Sequence, residues 1–341
     1  MPYTQISKLG NGQFGDVYLE HDDGLNRLCA AKYVPPAGHS RYDEAQAMSQ
    51  VSHENVVKVY SADDDPSTGG VVIRMEYHRR GSLANHYGGG PGPTADVVRH
   101  AEQACRGLQH LHNEGILHRD IKPANLLLSD DDVVKLSDFG LSTPVHTAGT
   151  APPMGYIAHL PPEALAGPGG ITDVVGDVFA MGVTLYRLLE GDALLAGMRL
   201  GGVNVEQRIV EGKFPPNTFS PHVHDRLRRV VRKATRVDPA TRYASATDMR
   251  HALEAARPVV SWRLTSNGAG ESNWAGIDQV DRTEYQARIE QVPNGTWSFW
   301  IEKRLVGKGT RRQHALGRSG LTRAQALREA RKILGDIAQP T

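Results

Sequence analysis

At 341 residues and 39% hydrophobic side chains, the chain is long enough for two or three domain-sized units with ordinary cores, which excludes a disordered or fibrous protein. Its 39 Lys and Arg nearly balance 38 Asp and Glu, yet residues 259–341 hold 13 basic against 8 acidic side chains and leave 26 against 30 in residues 1–258. Only two cysteines, Cys29 and Cys105, sit far apart in apolar patterns, which argues against a disulfide framework or a metal cluster; with no signal segment and no apolar run near the roughly 20 residues that span a bilayer, the expected setting is cytoplasmic, without a membrane.

Alternating apolar positions Ile6, Leu9, Val17, Tyr18 and Leu19, with glycines between, predict a β-hairpin, and Leu28 to Val34 a third strand. A helical pattern follows from about Arg41 to Val51, then short strands around Val56 to Ser61 and Val71 to Glu76. Between the first two strands lies Gly10-Asn11-Gly12-Gln13-Phe14-Gly15-Asp16-Val17, where missing side chains would let backbone N–H groups approach phosphate oxygens. Three glycines alone also describe a plain hairpin turn. Lys32 falls on the third strand, where an ammonium could reach two phosphates, and Glu44 on the following helix could hold it charged. From Thr94, read as an N-cap, helical spacing puts Val97, Val98, Ala101, Ala104, Cys105, Leu108 and Leu111 on one face.

His118-Arg119-Asp120-Ile121-Lys122-Pro123-Ala124-Asn125 comes next, then Leu126-Leu127-Leu128 and Asp138-Phe139-Gly140. In this order and spacing the motifs resemble the protein kinase family, and Lys122 resembles its Ser/Thr branch, in the bacterial eukaryotic-like form. The resemblance covers residues 1–258 and implies an α+β fold of two lobes, a small β-rich one and a helical one, using ATP and Mg²⁺. It implies that Asp120 orients the acceptor hydroxyl and takes its proton, that Lys122 neutralises the γ-phosphate, and that Asn125 and Asp138 hold magnesium. Glu76 and His78 would offer hinge backbone atoms to adenine, with Val17, Ala30 and Leu127 sandwiching the base. Asp177 resembles the aspartate that anchors the catalytic loop, and Arg242 the arginine that pairs with Glu163. All the chemistry-bearing residues are present, which favours an active enzyme acting on a protein Ser/Thr hydroxyl over a catalytically dead scaffold.

The sequence departs from the family before Glu163. Pro161-Pro162-Glu163 replaces Ala-Pro-Glu, and the threonine expected to touch the catalytic loop is Thr150 if an insertion follows it, whereas an ungapped count back from Glu163 lands on Tyr156. Arg119 could capture a phosphorylated residue among Ser142, Thr143, Thr147 and Thr150.

The helical pattern before Ala256-Arg257-Pro258 stops at proline and sets a boundary there, with a small α+β domain over 259–341. Strand-like runs occur at Thr283 to Gln291, Thr296 to Glu302 and Gln313 to Gly317, with an Asn294-Gly295 turn, and a helix from Thr322 to about Ile337. This reads as a three-stranded sheet on one helix, a targeting module. Trp297, Trp300 and the basic residues from Lys303 to Arg318 suit a protein partner or, as the lesser reading, nucleic acid.

Overall fold

The computed structural model describes residues 3–12, 15–36, 51–138, 156–165, 171–268, 270–305, 308–312 and 316–339. The chain divides into two compact units, one of Met1–His86, Gln103–Ala180 and Ala244–Thr247, the other of Tyr87–Glu102, Met181–Tyr243 and Asp248–Thr341. Its secondary structure is α+β.

The first unit opens with five antiparallel strands, β1 (Tyr3–Gly12), β2 (Gly15–Asp22), β3 (Arg27–Val34), β4 (Val59–Asp65) and β5 (Gly70–Glu76), in the order β1-β2-β3-β5-β4. The expected hairpin and third strand are there. The strand expected from Val56 starts later, at Val59, because the preceding residues serve another pairing: Val56 bridges Leu136, and Val57 N donates to Leu136 O at 2.9 Å. The helix expected over 41–51, with Glu44, lies outside the described residues. Position β3 explains its composition, since Cys29, Ala30, Ala31, Lys32 and Val34 are all buried in a central strand.

Helix α1 (Leu83–Tyr87) is followed by α2 (Thr94–Asn113), whose seven predicted apolar positions are all buried. Gly107 on α2 lets the helix lie against the Asn55 backbone, which a Cβ would strike. The hairpin β6 (Leu126–Leu128) and β7 (Val134–Leu136) buries Leu126, Leu128, Val134 and Leu136. It therefore fixes the exit of the loop 118–125 and the start of 137–138. Leu128 N donates to Gly81 O and Leu136 N to Asn55 O, so both strands are tied into the same unit.

Helix α3 (Val174–Glu190) leads into the second unit, which holds α4 (Ala193–Leu200), α5 (Val205–Val210), α6 (Asp225–Ala234) and most of α7 (Ala246–Glu254). It also holds a six-stranded sheet: β8 (Val260–Asn267), β9 (Glu271–Asp278), β10 (Glu284–Gln291), β11 (Trp297–Leu305), β12 (Lys308–Arg312) and β13 (Arg318–Leu321), ordered β12-β11-β10-β9-β8 with β13 on β11. Helix α8 (Arg323–Ala338) covers one face, where Ala326, Ala330 and Leu334 meet Trp262, Trp274, Ile289, Phe299 and Ile301. Thr322 caps it in a box with Gln325, as expected, and Gly295 takes the positive φ that the Asn294-Gly295 turn needs.

Two expectations are corrected. Among the described residues the sheet has six strands, not three: β12 was not foreseen, nor were β8 and β9, where Ser, Asn and Gly interrupt the alternation. The run Gln313 to Gly317 is not a strand at Leu316 and Gly317, its only described residues; pairing resumes at Arg318, beside the positive-φ Gly320.

Candidate active site

The site assembles within the first unit. Lys32 is buried on β3, and its Nζ donates to Asp138 Oδ1, so the two charges meet across 106 residues of sequence. A buried lysine stays ionised only with such a partner. Asp138 leaves β7 with φ +59°, a turn that carries its carboxylate toward β3 and leaves it 37% exposed. Lys32 was expected to face Glu44, which lies outside the described residues, as do Phe139 and Gly140.

Asp120 is held from three sides. Lys122 Nζ donates to its Oδ2 at 2.6 Å, Asn125 Nδ2 donates to the same oxygen and to Asp120 O, both at 2.8 Å, and Tyr156 N donates to Oδ1 at 3.3 Å. The longer contact at Oδ1 marks the oxygen most easily given to an incoming hydroxyl. Because the Asn125 nitrogen is occupied by Asp120, its Oδ1 is the atom available to a hard cation. Ser137 N and Oγ donate to Asn125 O at 2.9 and 3.2 Å and fix that residue from behind.

Asp177 anchors this loop, as the resemblance implied. Its Oδ2 accepts from His118 N and its Oδ1 from Arg119 N, each at 2.8 Å, which holds Arg119 at φ +63°. His112 Nε2 lies 2.8 Å from the same carboxylate. Burial works to raise the Asp177 pKa, but the His112 contact and the loop N–H groups win and hold it below the ordinary value. Burial also pushes the His118 imidazole down against the pull of Asp177 and Asp120, leaving a neutral ring whose Nδ1 accepts from Asp120 N at 3.3 Å. Sequence reasoning missed His112; a histidine in the last turn of α2, six residues before His118, was the available signal.

The remaining residues divide by what surrounds them. Gly10, Gly12 and Gly15 lie on the β1–β2 hairpin, with Gly10 opposite Val17 and Gly12 opposite Gly15. A Cβ at Gly10 would meet nothing within 4 Å, whereas at Gly15, with φ +145°, it would strike the Tyr33 carbonyl. So Gly10 faces open space, and Gly15 is required by the neighbouring strand. Ala30 is buried, while Val17 and Leu127 are half-buried. At the end of β5, Glu76 N donates to Lys58 O. Burial pushes the Glu76 carboxyl up, but contacts with His78 and Lys135 bring it to about 2. Lys135 Nζ is 3.1 Å from it and His78 Nε2 3.5 Å.

Tyr156 reaches Asp120 through its backbone N; Thr150 lies outside the described residues, with Ser142, Thr143 and Thr147. The ring of Tyr156 meets that of His159, centroids 5.9 Å apart.

Among the described residues no group of three or more His, Cys, Asp or Glu is placed to hold a metal, and no helix is long and apolar enough to cross a membrane. Two protein oxygens, one from Asp138 and one from Asn125, fit Mg²⁺, which keeps water and phosphate oxygens in its shell. Buried Lys32, the open face at Gly10 and the small Ala30 likewise fit a nucleotide polyphosphate and base.

Comparison with known proteins agrees with this geometry. Residues 3–254 match the protein kinase domain. The chain is 29% identical to the serine/threonine-protein kinase PknB of Mycobacterium leprae over 86% of this chain and 50% of that protein. It is 31% identical to PknB of Mycobacterium tuberculosis over 86% and 51%, and 28% identical to the serine/threonine-protein kinase PrkC of Bacillus subtilis over 74% and 40%. The chain thus spans about half the length of the curated relatives it matches.

Proposed function

The chain belongs to the protein kinase family, and from that premise we propose that it is an ATP-dependent protein serine/threonine kinase. The observation that carries the reading is the buried Lys32–Asp138 pair in one compact unit with Asp120, Asn125 and Lys122. Mg·ATP, when bound, supplies the phosphoryl group and the metal charge that stabilises its transfer. Lys32 binds phosphate oxygens, Asn125 Oδ1 and Asp138 hold magnesium, and Gly10 and Gly12 give the phosphates backbone access. Ala30, Val17 and Leu127 clasp the base beside the Glu76–His78 backbone. Asp120 takes the acceptor Ser/Thr hydroxyl proton on Oδ1, while Lys122 steadies Oδ2 and the phosphate being moved. Lysine at 122 and the printed names of the relatives support Ser/Thr as the acceptor. Autophosphorylation among Ser142, Thr143, Thr147 and Thr150, with Arg119 as the cation, belongs to this reading.

We place the catalytic domain at 1–258 and a partner-binding module at 259–341. Mixed charges support a protein partner over nucleic acid: Arg288 pairs with Glu271 and Glu290 at 2.8 Å, and Trp300 Nε1 donates to Glu290 at 3.2 Å. These acids cancel a phosphate-tracking stripe. The two buried free thiols, Cys29 and Cys105, support a reducing, cytoplasmic setting.

The direct test is Asp138→Ala in the full chain with Mg·ATP and a Ser/Thr peptide. Loss of transfer is expected, with some loss of thermal stability as buried Lys32 loses this partner, and undiminished turnover would refute the assignment.

A further inference from the structure

We propose that residues 259–341 are bolted to the helix that precedes the catalytic loop, with Ser261 acting as a long-range cap of α2. The first turn of any helix leaves N–H groups that need acceptors. Composition nominates Thr94 as the local cap, but its hydroxyl is spent elsewhere: Thr94 Oγ1 accepts from Trp262 N at 3.0 Å. The helix is capped instead by Ser261 Oγ, which accepts from Ala95 N at 3.0 Å. Thr94 and Trp262 are fully buried and Ser261 nearly so, so each of these polar groups depends on the other side for its partner.

Three further contacts, one of them on α2, order the module and its entry within the second unit. Arg257, just before the module, makes a two-pronged contact with buried Glu102 on α2, Nε to Oε1 at 2.7 Å and Nη2 to Oε2. Arg331 of α8 donates from Nη2 to Phe219 O at 2.6 Å. Val259 N donates to Ala338 O at 2.7 Å, which closes the module's entry strand on its last helix. Displacing the Arg257 segment that leads into the module would leave Glu102 as a buried charge without this partner, which folded proteins avoid. Helix α2 runs on to Asn113 and carries His112, the histidine on the Asp177 anchor. The module therefore braces the first turns of α2, residues 94–102.

The test is amide hydrogen exchange on the full chain carrying Ser261→Ala. Exchange in residues 94–102 is expected to rise roughly fivefold or more, as for a lost cap, while β10 and β11 stay at wild-type rates. Arg257→Gln, which leaves the sheet untouched, is expected to raise exchange over the same helical residues. Unchanged exchange there in both variants would overturn the brace. So would a rise shared equally by β10 and β11, which would make Ser261 a support of the module's own fold. The readout does not depend on activity, so it stands apart from the kinase assignment.

Discussion

Asp177 carries more of the site than its distance from any reacting atom suggests. Its two oxygens accept from consecutive backbone N–H groups, His118 and Arg119, and one also meets His112. Substituting Asp177→Asn turns one acceptor into a donor aimed at an N–H, in a place without water to relieve it. We expect a stability loss of about 3 kcal/mol or more, read from urea unfolding, together with a fall in peptide phosphorylation. Retention of wild-type stability would mean that the loop finds its geometry without the anchor. The sequence motif located Asp120, Lys122, Asn125, Asp138 and Asp177, because those residues sit in short strings with fixed spacing. It did not disclose His112, and it left Thr150 and Tyr156 as alternatives. The role of His112 depends on where a helix end returns in space, and no local spacing encodes that.

At the level of elements, the β1–β2 hairpin separates two uses of glycine. Gly15 has φ +145° and its missing Cβ makes room for the Tyr33 carbonyl, whereas Gly10 has open space around it. Gly15→Ala is expected to cost about 2 kcal/mol or more by forcing β2 from β3. Gly10→Ala is expected to leave thermal stability within about 0.5 kcal/mol and to raise the KM for ATP, since the new methyl stands where phosphates approach. If both variants lose stability equally, the distinction between a structural and a ligand-facing glycine is wrong. Elements with clean periods were readable in advance: α2 from its seven apolar positions, α8 from its helical spacing after Thr322, β10 and β11 from the Asn-Gly turn between them. Strands β8 and β9 were not, because Trp262 and Trp274 fill the core from segments otherwise rich in Ser, Asn and Gly. Trp262 in particular lies over Gly276, a glycine that reads in sequence as a breaker and serves in the fold as the floor for an indole ring.

For the whole molecule, three titratable groups of the second unit, buried His222 and His224 and half-buried Glu190, contribute to how stability follows pH. Burial alone drives His222 to about 4, with no hydrogen-bond partner for either ring nitrogen among the described residues, and burial drives His224 to about 4 as well. Both are neutral when folded and bind a proton when unfolded below about 6.5, so their stabilisation is complete above 6.5 and is lost as pH falls toward 4. Glu190 has the opposite sign. Burial raises it to about 7, against hydrogen bonds from Ser220 N and Oγ and the charges of Arg331 and Arg228. It keeps its proton in the fold, and its contribution, complete below 4.5, declines as pH rises toward 7. Among these three, two groups against one leave a net gain of about one proton on unfolding, which contributes a rise of about 1.4 kcal/mol per pH unit between 4.5 and 6.5, and the buried His118 of the first unit adds to it with the same sign. Tryptophan fluorescence reads this directly, because all four tryptophans, Trp262, Trp274, Trp297 and Trp300, lie in the same unit as these groups. Urea transitions at pH 5 and 6.5 should differ accordingly. His222→Leu should lower the slope by about 1.4 kcal/mol per pH unit, and Glu190→Gln should raise it by about as much. If both variants track the wild-type curve, these side chains are solvated in solution and the packing of α3 and residues 219–224 is looser than described.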